Sequence, residues 1–164
     1  MDTTARDRLD SYPYRHRVDD IMSAPVVSMP PSASAAEAAA MMVARSVSCV
    51  VVCDEGGRAL GILTERDVLR LAAASPRRLD QGLRETMSGP VHGIEAGALV
   101  YRAIARMARR GVRHLPVLDG AGRVVGMLSA RDLLRQRAAL ALPLGDEIED
   151  ARDSGVLADV HRRL

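Results

Sequence analysis

The sequence predicts a mixed α/β (α+β) fold assembled from two tandem copies of one β-α-β-β-α unit, and three observations predict it. The chain repeats itself at a constant displacement of 65 residues, each copy holds two aliphatic runs joined by a Gly/Asp turn, and each holds two breaker-free runs of helix formers. Met22-Ser23-Ala24-Pro25-Val26 returns as Met87-Ser88-Gly89-Pro90-Val91. The same shift carries Val47 to Val112, Val52 to Val117, Asp54 to Asp119, Gly57-Arg58 to Gly122-Arg123, Gly61 to Gly126 and Arg66-Asp67 to Arg131-Asp132, without a gap. An offset held constant from Met22 to Asp67 marks each copy as one supersecondary unit.

The elements of a copy follow from breakers and period. After the Met-Ser-x-Pro turn comes a short extended piece, Val26 to Met29 and Val91 to Ile94. Small, helix-favouring residues then run without a breaker over Ser34 to Arg45 and Leu99 to Arg110, which predicts a helix; in the second copy Gly111 caps its end. Ser48 to Cys53 and Arg113 to Leu118 are rich in valine and leucine and lead into the turns Asp54-Glu55-Gly56-Gly57 and Asp119-Gly120-Ala121-Gly122. With Ala59 to Leu63 and Val124 to Leu128 behind them, these runs predict one hairpin per copy. A second helix closes each unit, Glu65 to Ala73 and Ala130 to Arg137. The predicted organisation is an arm over 1–16, a first unit over 17–75, a linker over 76–82, a second unit over 83–137 and a helical extension over 138–164.

Composition narrows the function classes. At 164 residues and 48% hydrophobic, the chain can bury one sizeable core or two small ones that lean on each other. All 23 basic residues are arginine, which together with the heavy alanine usage reads as the codon bias of a GC-rich genome. The net charge is only +2 and the arginines are dispersed among 21 acidic residues, so no stripe can neutralise a run of phosphates and nucleic acid is not an expected partner. No run approaches the roughly 20 apolar residues that span a bilayer. The polar stretch Met1 to Arg17 has no signal-peptide core, so no membrane partner and a cytoplasmic location are expected.

Cys49 and Cys53 lie on one predicted strand, where four residues span roughly 13 Å, beyond the roughly 7 Å that a disulfide tolerates between Cα atoms. They read as small buried hydrophobes, and without partner histidines they do not suggest zinc. Catalysis by the chain alone is not expected either. The histidines are His16, His92, His114 and His161, with no Ser-His-Asp or paired-carboxylate arrangement and no Walker-type loop.

The last strand of each copy runs into Gly61-Ile62-Leu63-Thr64-Glu65-Arg66-Asp67 or Gly126-Met127-Leu128-Ser129-Ala130-Arg131-Asp132. A Thr or Ser followed three residues later by Asp is close to a helix capping box, and the glycine permits close approach of another group. Occurring twice at equivalent places, the pattern resembles the cystathionine-β-synthase (CBS) domain, which occurs in tandem pairs and ends each unit with Gly-hydrophobic-x-Thr/Ser-x-x-Asp. The resemblance covers roughly Arg17 to Arg137 and extends to Met-Ser near each start and to Arg113-His114-Leu115-Pro116-Val117.

It implies two units packed about a pseudo-twofold axis, with clefts between them that take adenosine-containing ligands: AMP, ADP, ATP or S-adenosylmethionine. In that arrangement Thr64 and Ser129 present hydroxyls and free N–H groups to a phosphate at a helix start, and Asp67 and Asp132 accept from ribose hydroxyls. Val26, Val51, Val91 and Pro116 match family positions that line the adenine slot. Arg66, Arg131, Arg113 and His114 are candidates for phosphate contacts, with a solvated helix face as the competing reading for Arg66 and Arg131. The first copy has Ser48-Cys49-Val50-Val51 in place of the basic pair, so the two clefts should differ in affinity. Tyr101 stands where the first copy has Ala36, to stack on a base or to fill the core.

The resemblance further implies a regulatory module that biases an attached or separate effector, and a homodimer joined through helical faces. The face of Ala35, Ala38, Ala39 and Met42 suits close helix packing within or between chains. A structural dimerisation module with vestigial clefts is the alternative reading. Beyond Arg137, Ile148, Ala151, Leu157, Val160 and Leu164 recur near helical spacing around Ser154-Gly155 and predict two short helices. The tail resembles the segment that follows the pair in bacterial CBS proteins continuing into a nucleotidyltransferase domain; a self-contained packing or dimerisation helix is the competing reading.

Overall fold

A computed structural model describes residues 11–139, and the expected helices of the C-terminal tail lie outside the described residues. Helical residues 11–15 (α1) come first, followed by β1 (Ser28–Met29), α2 (Ala35–Arg45), β2 (Cys49–Cys53), β3 (Ala59–Thr64) and α3 (Glu65–Ala74). The second repeat contains α4 (Leu83–Thr86), β4 (Ile94–Glu95), α5 (Val100–Arg110), β5 (His114–Leu118), β6 (Val124–Ser129) and α6 (130–139). Two three-stranded sheets result, β1-β2-β3 and β4-β5-β6, each with one parallel and one antiparallel pair. The mixed α/β architecture is therefore the expected one.

The 65-residue shift governs register as well as element order. Cys49 pairs with Thr64 and Val52 with Gly61, while His114 pairs with Ser129 and Val117 with Gly126. Even the irregularity is copied, between Val52 and Cys53 and between Val117 and Leu118. Ser34 caps α2 through a capping box with Glu37, whereas the equivalent Leu99 supplies no side-chain cap to α5. The C-caps Ser46 and Gly111 both adopt the left-handed conformation, at φ 52° and 64°, which only the glycine adopts without a steric cost.

The hydrophobic cores do not follow the sequence order of the repeats. Val18 and Ile21, ahead of the first Met-Ser, pack with Ile94, Val100, Leu115 and Leu128 of the second repeat. Leu83 of α4, ahead of the second Met-Ser, packs with Ala35, Met42, Val50 and Leu63 of the first. Val18 and Leu83 are both 0% exposed, and full burial of such a side chain contributes about 1.5–3 kcal/mol, so each repeat is fastened into the other. Backbone pairs make the same exchange: Ser23 bridges Met127, with N–H···O distances of 2.8 and 2.9 Å, and Ser88 bridges Ile62 at 2.9 and 3.0 Å. Residues related by the repeat also meet directly, Arg58 beside Arg123 in an antiparallel bridge.

Several expectations are refined. The first strand of each copy is only two residues long, because pairing with β2 or β5 begins at Ser28 and Ile94. The span expected as linker carries a 3-10 helix, Pro76–Asp80, whose Leu79 packs on the first core. Ala35, Ala38 and Met42 are buried inside the chain, which resolves that small-residue face as an internal contact. Tyr101 does not fill the core: it is 40% exposed and stacks on Tyr14 of α1, ring centroids 5.3 Å apart.

Candidate functional site

Each Thr/Ser-x-x-Asp motif forms a reciprocal capping box at the junction of a strand with a helix. Asp67 Oδ2 accepts from the Thr64 backbone N–H at 3.0 Å and from its hydroxyl at 2.6 Å, while the Asp67 N–H donates to Thr64 Oγ1 at 3.3 Å. Asp132 repeats this with Ser129 at 2.7, 2.6 and 3.2 Å. The cap therefore occupies one carboxylate oxygen and leaves Oδ1 outside it. Around Asp67 that oxygen lies 3.7 Å from an Arg70 guanidinium nitrogen; around Asp132 it accepts, among the described residues, a long 3.4 Å bond from the Ser23 hydroxyl.

That contact shows that the two repeats meet at the motif. Ser23 bridges Met127, two residues before Ser129, and Ser88 bridges Ile62, two residues before Thr64. Asp132 is thus met by Ser23, and the strands that lead into both motifs are bridged by the Met-Ser turn of the opposite repeat. Sequence reasoning missed Ser23 as a neighbour of Asp132, although its recurrence as Ser88 was a usable signal. The strand glycines serve the same exchange. A Cβ on Gly61 would collide with Met87 down to its Cβ at 2.8 Å, and one on Gly126 with Met22, whose Cγ lies at 3.0 Å.

The other candidates divide by exposure. Arg66, Arg131 and Arg113 are exposed and enter no ion pair among the described residues, so their guanidiniums are available to a ligand or to solvent. Val26 and Val91 are half-buried, whereas Val51 and Pro116 are sealed from solvent in the chain. Val51 packs with Cys49 and Met127, and with Val26 and Ile62, in a third apolar cluster where the repeats meet. Cys49 lies in that cluster, where burial and the carboxylates of Glu65 and Asp132 push its thiol up to about 12 and leave it protonated. Among the described residues no group of His, Cys, Asp and Glu side chains could hold a metal ion.

His114 is placed between the repeats. Its Nε2 lies 2.9 Å from the hydroxyl of Ser48, which belongs to the first repeat. Burial, then the neighbouring Arg113, lowers its pKa from 6.5, against the opposing pull of Asp132 and Glu65, with Arg131 lowering it further. The ring is therefore neutral at pH 7. An unfolded chain takes up this proton near pH 6.5 and the folded chain only at lower pH, so stability falls as pH drops below that value. His114→Gln is expected to make the decline in melting temperature between pH 7 and 5 shallower; a variant that keeps the wild-type slope contradicts the burial account.

The CBS domain model matches residues 18–74 and again 83–139. The chain belongs to the CBS domain family. Among solved CBS structures it is similar to the domain protein PAE2072 from Pyrobaculum aerophilum, complexed with AMP, at 30% identity and TM-score 0.69 over 80% of this chain and 99% of that one. It is likewise similar to the CBS domain pair of protein MJ0100, in complex with 5-methylthioadenosine and S-adenosyl-L-methionine, at 26% identity and TM-score 0.69 over 76% and 97% of the two chains. The 17.7 kDa protein in the bps2 3' region of Acidianus ambivalens is 32% identical over 145 residues, 88% of this chain and 87% of that protein. The L-aspartate semialdehyde sulfurtransferase of Methanocaldococcus jannaschii is 26% identical over 118 residues, 72% of this chain but 22% of the enzyme. The chain thus matches only a small part of that enzyme. No helix among the described residues is long and apolar enough to cross a membrane.

Proposed function

We propose that this CBS pair is a regulatory ligand-binding module that takes an adenosine-containing molecule, of the AMP, ADP, ATP or S-adenosylmethionine class, in the clefts beside Asp132 and Asp67. It performs no chemistry itself. The observation that carries this reading is that Asp132 Oδ1 lies outside the helix cap: the cap uses the other oxygen, so a ribose hydroxyl can be accepted without giving it up. The AMP complex of one similar protein and the S-adenosylmethionine complex of another support the ligand class. Because each cleft draws on both repeats, a ligand that binds one arrangement better than another shifts their relative position and biases an attached or partner effector.

A thermal-shift panel of AMP, ADP, ATP, NAD and S-adenosylmethionine tests the reading. A ligand at 100 times its dissociation constant adds about 2.7 kcal/mol of stability, which moves the melting temperature by several degrees. A flat response across the panel contradicts it. The module is further proposed to be a homodimer. Leu69 and Leu134, related by the repeat shift, are 70% and 68% exposed on α3 and α6, an apolar pair that a partner chain would cover. Light scattering is expected to return twice the chain mass at micromolar concentration; a monomer mass throughout contradicts this.

A further inference from the structure

One hollow on the second repeat has no chemical counterpart on the first. It encloses about 570 Å³ and is lined by Val91, His92, Gly93, Arg106, Arg109 and Arg110. Three guanidiniums and an imidazole face it, with no carboxylate in the lining. The arginines occupy one face of α5 at spacings of three and four residues, and His92 arrives from the segment before β4. Arg106 donates to the Gly93 carbonyl, which holds its guanidinium against that segment. Arg109 and Arg110 are exposed and enter no ion pair among the described residues.

The fold does not require these charges. The repeat shift places Val27, Met41, Ala44 and Arg45 at the positions of His92, Arg106, Arg109 and Arg110, and the first repeat builds the same helix and edge strand with them. The negative end of a helix dipole favours cations in its last turn, which accounts for Arg109 and Arg110 as it does for Arg45. It does not account for Arg106 one turn earlier, or for a histidine supplied by another segment.

We propose that this hollow binds a polyphosphate group, the di- or triphosphate of a small molecule. Guanidiniums present paired N–H donors that match phosphate oxygens, and three of them together favour a multivalent anion over a monovalent one. The volume lies within the roughly 300–1,000 Å³ typical of small-ligand sites, yet Val91 is the one large apolar residue in the lining, so the charged group rather than a base is what it recognises. Of the residues assigned to the adenosine clefts only Val91 is shared, so this site stands or falls separately from that reading.

Calorimetric titration of the full chain with tripolyphosphate and with inorganic phosphate, at low and high NaCl, tests it. Tripolyphosphate should bind saturably, more tightly than phosphate, and more weakly as salt rises. Arg109→Gln/Arg110→Gln, two exposed positions whose change leaves the core untouched, should weaken tripolyphosphate binding at least about tenfold. Arg113→Gln/Arg131→Gln, which removes guanidiniums assigned to the clefts, should leave a saturable tripolyphosphate site in place. Absence of saturable binding, equal affinity in the Arg109/Arg110 variant, or loss in the Arg113/Arg131 variant instead would each overturn the proposal, the last by placing the anion in the clefts.

Discussion

Replacing Asp132 with alanine is expected to weaken AMP binding roughly 10- to 150-fold, the effect of losing a hydrogen bond to a charged group worth about 1.5–3 kcal/mol. The fold should survive, because the same substitution removes a capping partner worth only about 1 kcal/mol. Asp67→Ala is expected to affect the tighter site less. The Asp67 carboxylate already has Arg70 at 3.7 Å, and Thr64 of its motif pairs with Cys49, whereas Ser129 of the second motif pairs with His114. Calorimetric titration of both variants with AMP and ATP checks this. Unchanged affinity in Asp132→Ala, with wild-type binding measurable, would reduce Asp132 to a helix cap.

The largest expected effect on stability comes from the glycines that receive the exchanged methionines. Gly61→Ala would set a Cβ against Met87 Cγ at 2.6 Å and Met87 Cβ at 2.8 Å, and the latter atom cannot move without its backbone. Overpacking of this kind costs about 1–3 kcal/mol, or roughly 2–4 °C of melting temperature per kcal/mol in a chain of this size. Gly126→Ala meets Met22 only from Cγ outward, and a methionine can swing away. Urea denaturation should therefore rank Gly61→Ala below Gly126→Ala in stability. The reverse order, or a Gly61→Ala variant within about 0.5 kcal/mol of wild type, contradicts the close approach.

Much of this architecture was legible in the sequence because local chemistry decides it. The Gly/Asp turns at Asp54 and Asp119 define the hairpins, and the identical offset of Thr64-Asp67 and Ser129-Asp132 predicts two equivalent strand-to-helix junctions, as found. Gly61 and Gly126 signalled a close approach, though not that the approaching group is the methionine of the opposite repeat. That exchange was illegible because periodicity reports which face of a segment is apolar and not which core receives it; Val18 and Leu83 carry no address in their own spacing. The 3-10 helix Pro76–Asp80 is too short for a periodic signal, and the contact of Ser48 with His114 joins residues of different repeats. The sequence leaves Tyr101 open between base stacking and core filling, and the ring that meets it belongs to α1, whose packing no motif announces.

The central claim is that the Asp132 carboxylate divides its oxygens between a helix cap and a ribose. A crystal structure of the chain with AMP tests this most directly. The account predicts ribose hydroxyls within hydrogen-bond distance of Asp132 Oδ1, with Oδ2 still accepting from Ser129 and the Ser23 contact replaced by the ligand. A nucleotide bound away from both Asp132 and Asp67 would contradict it.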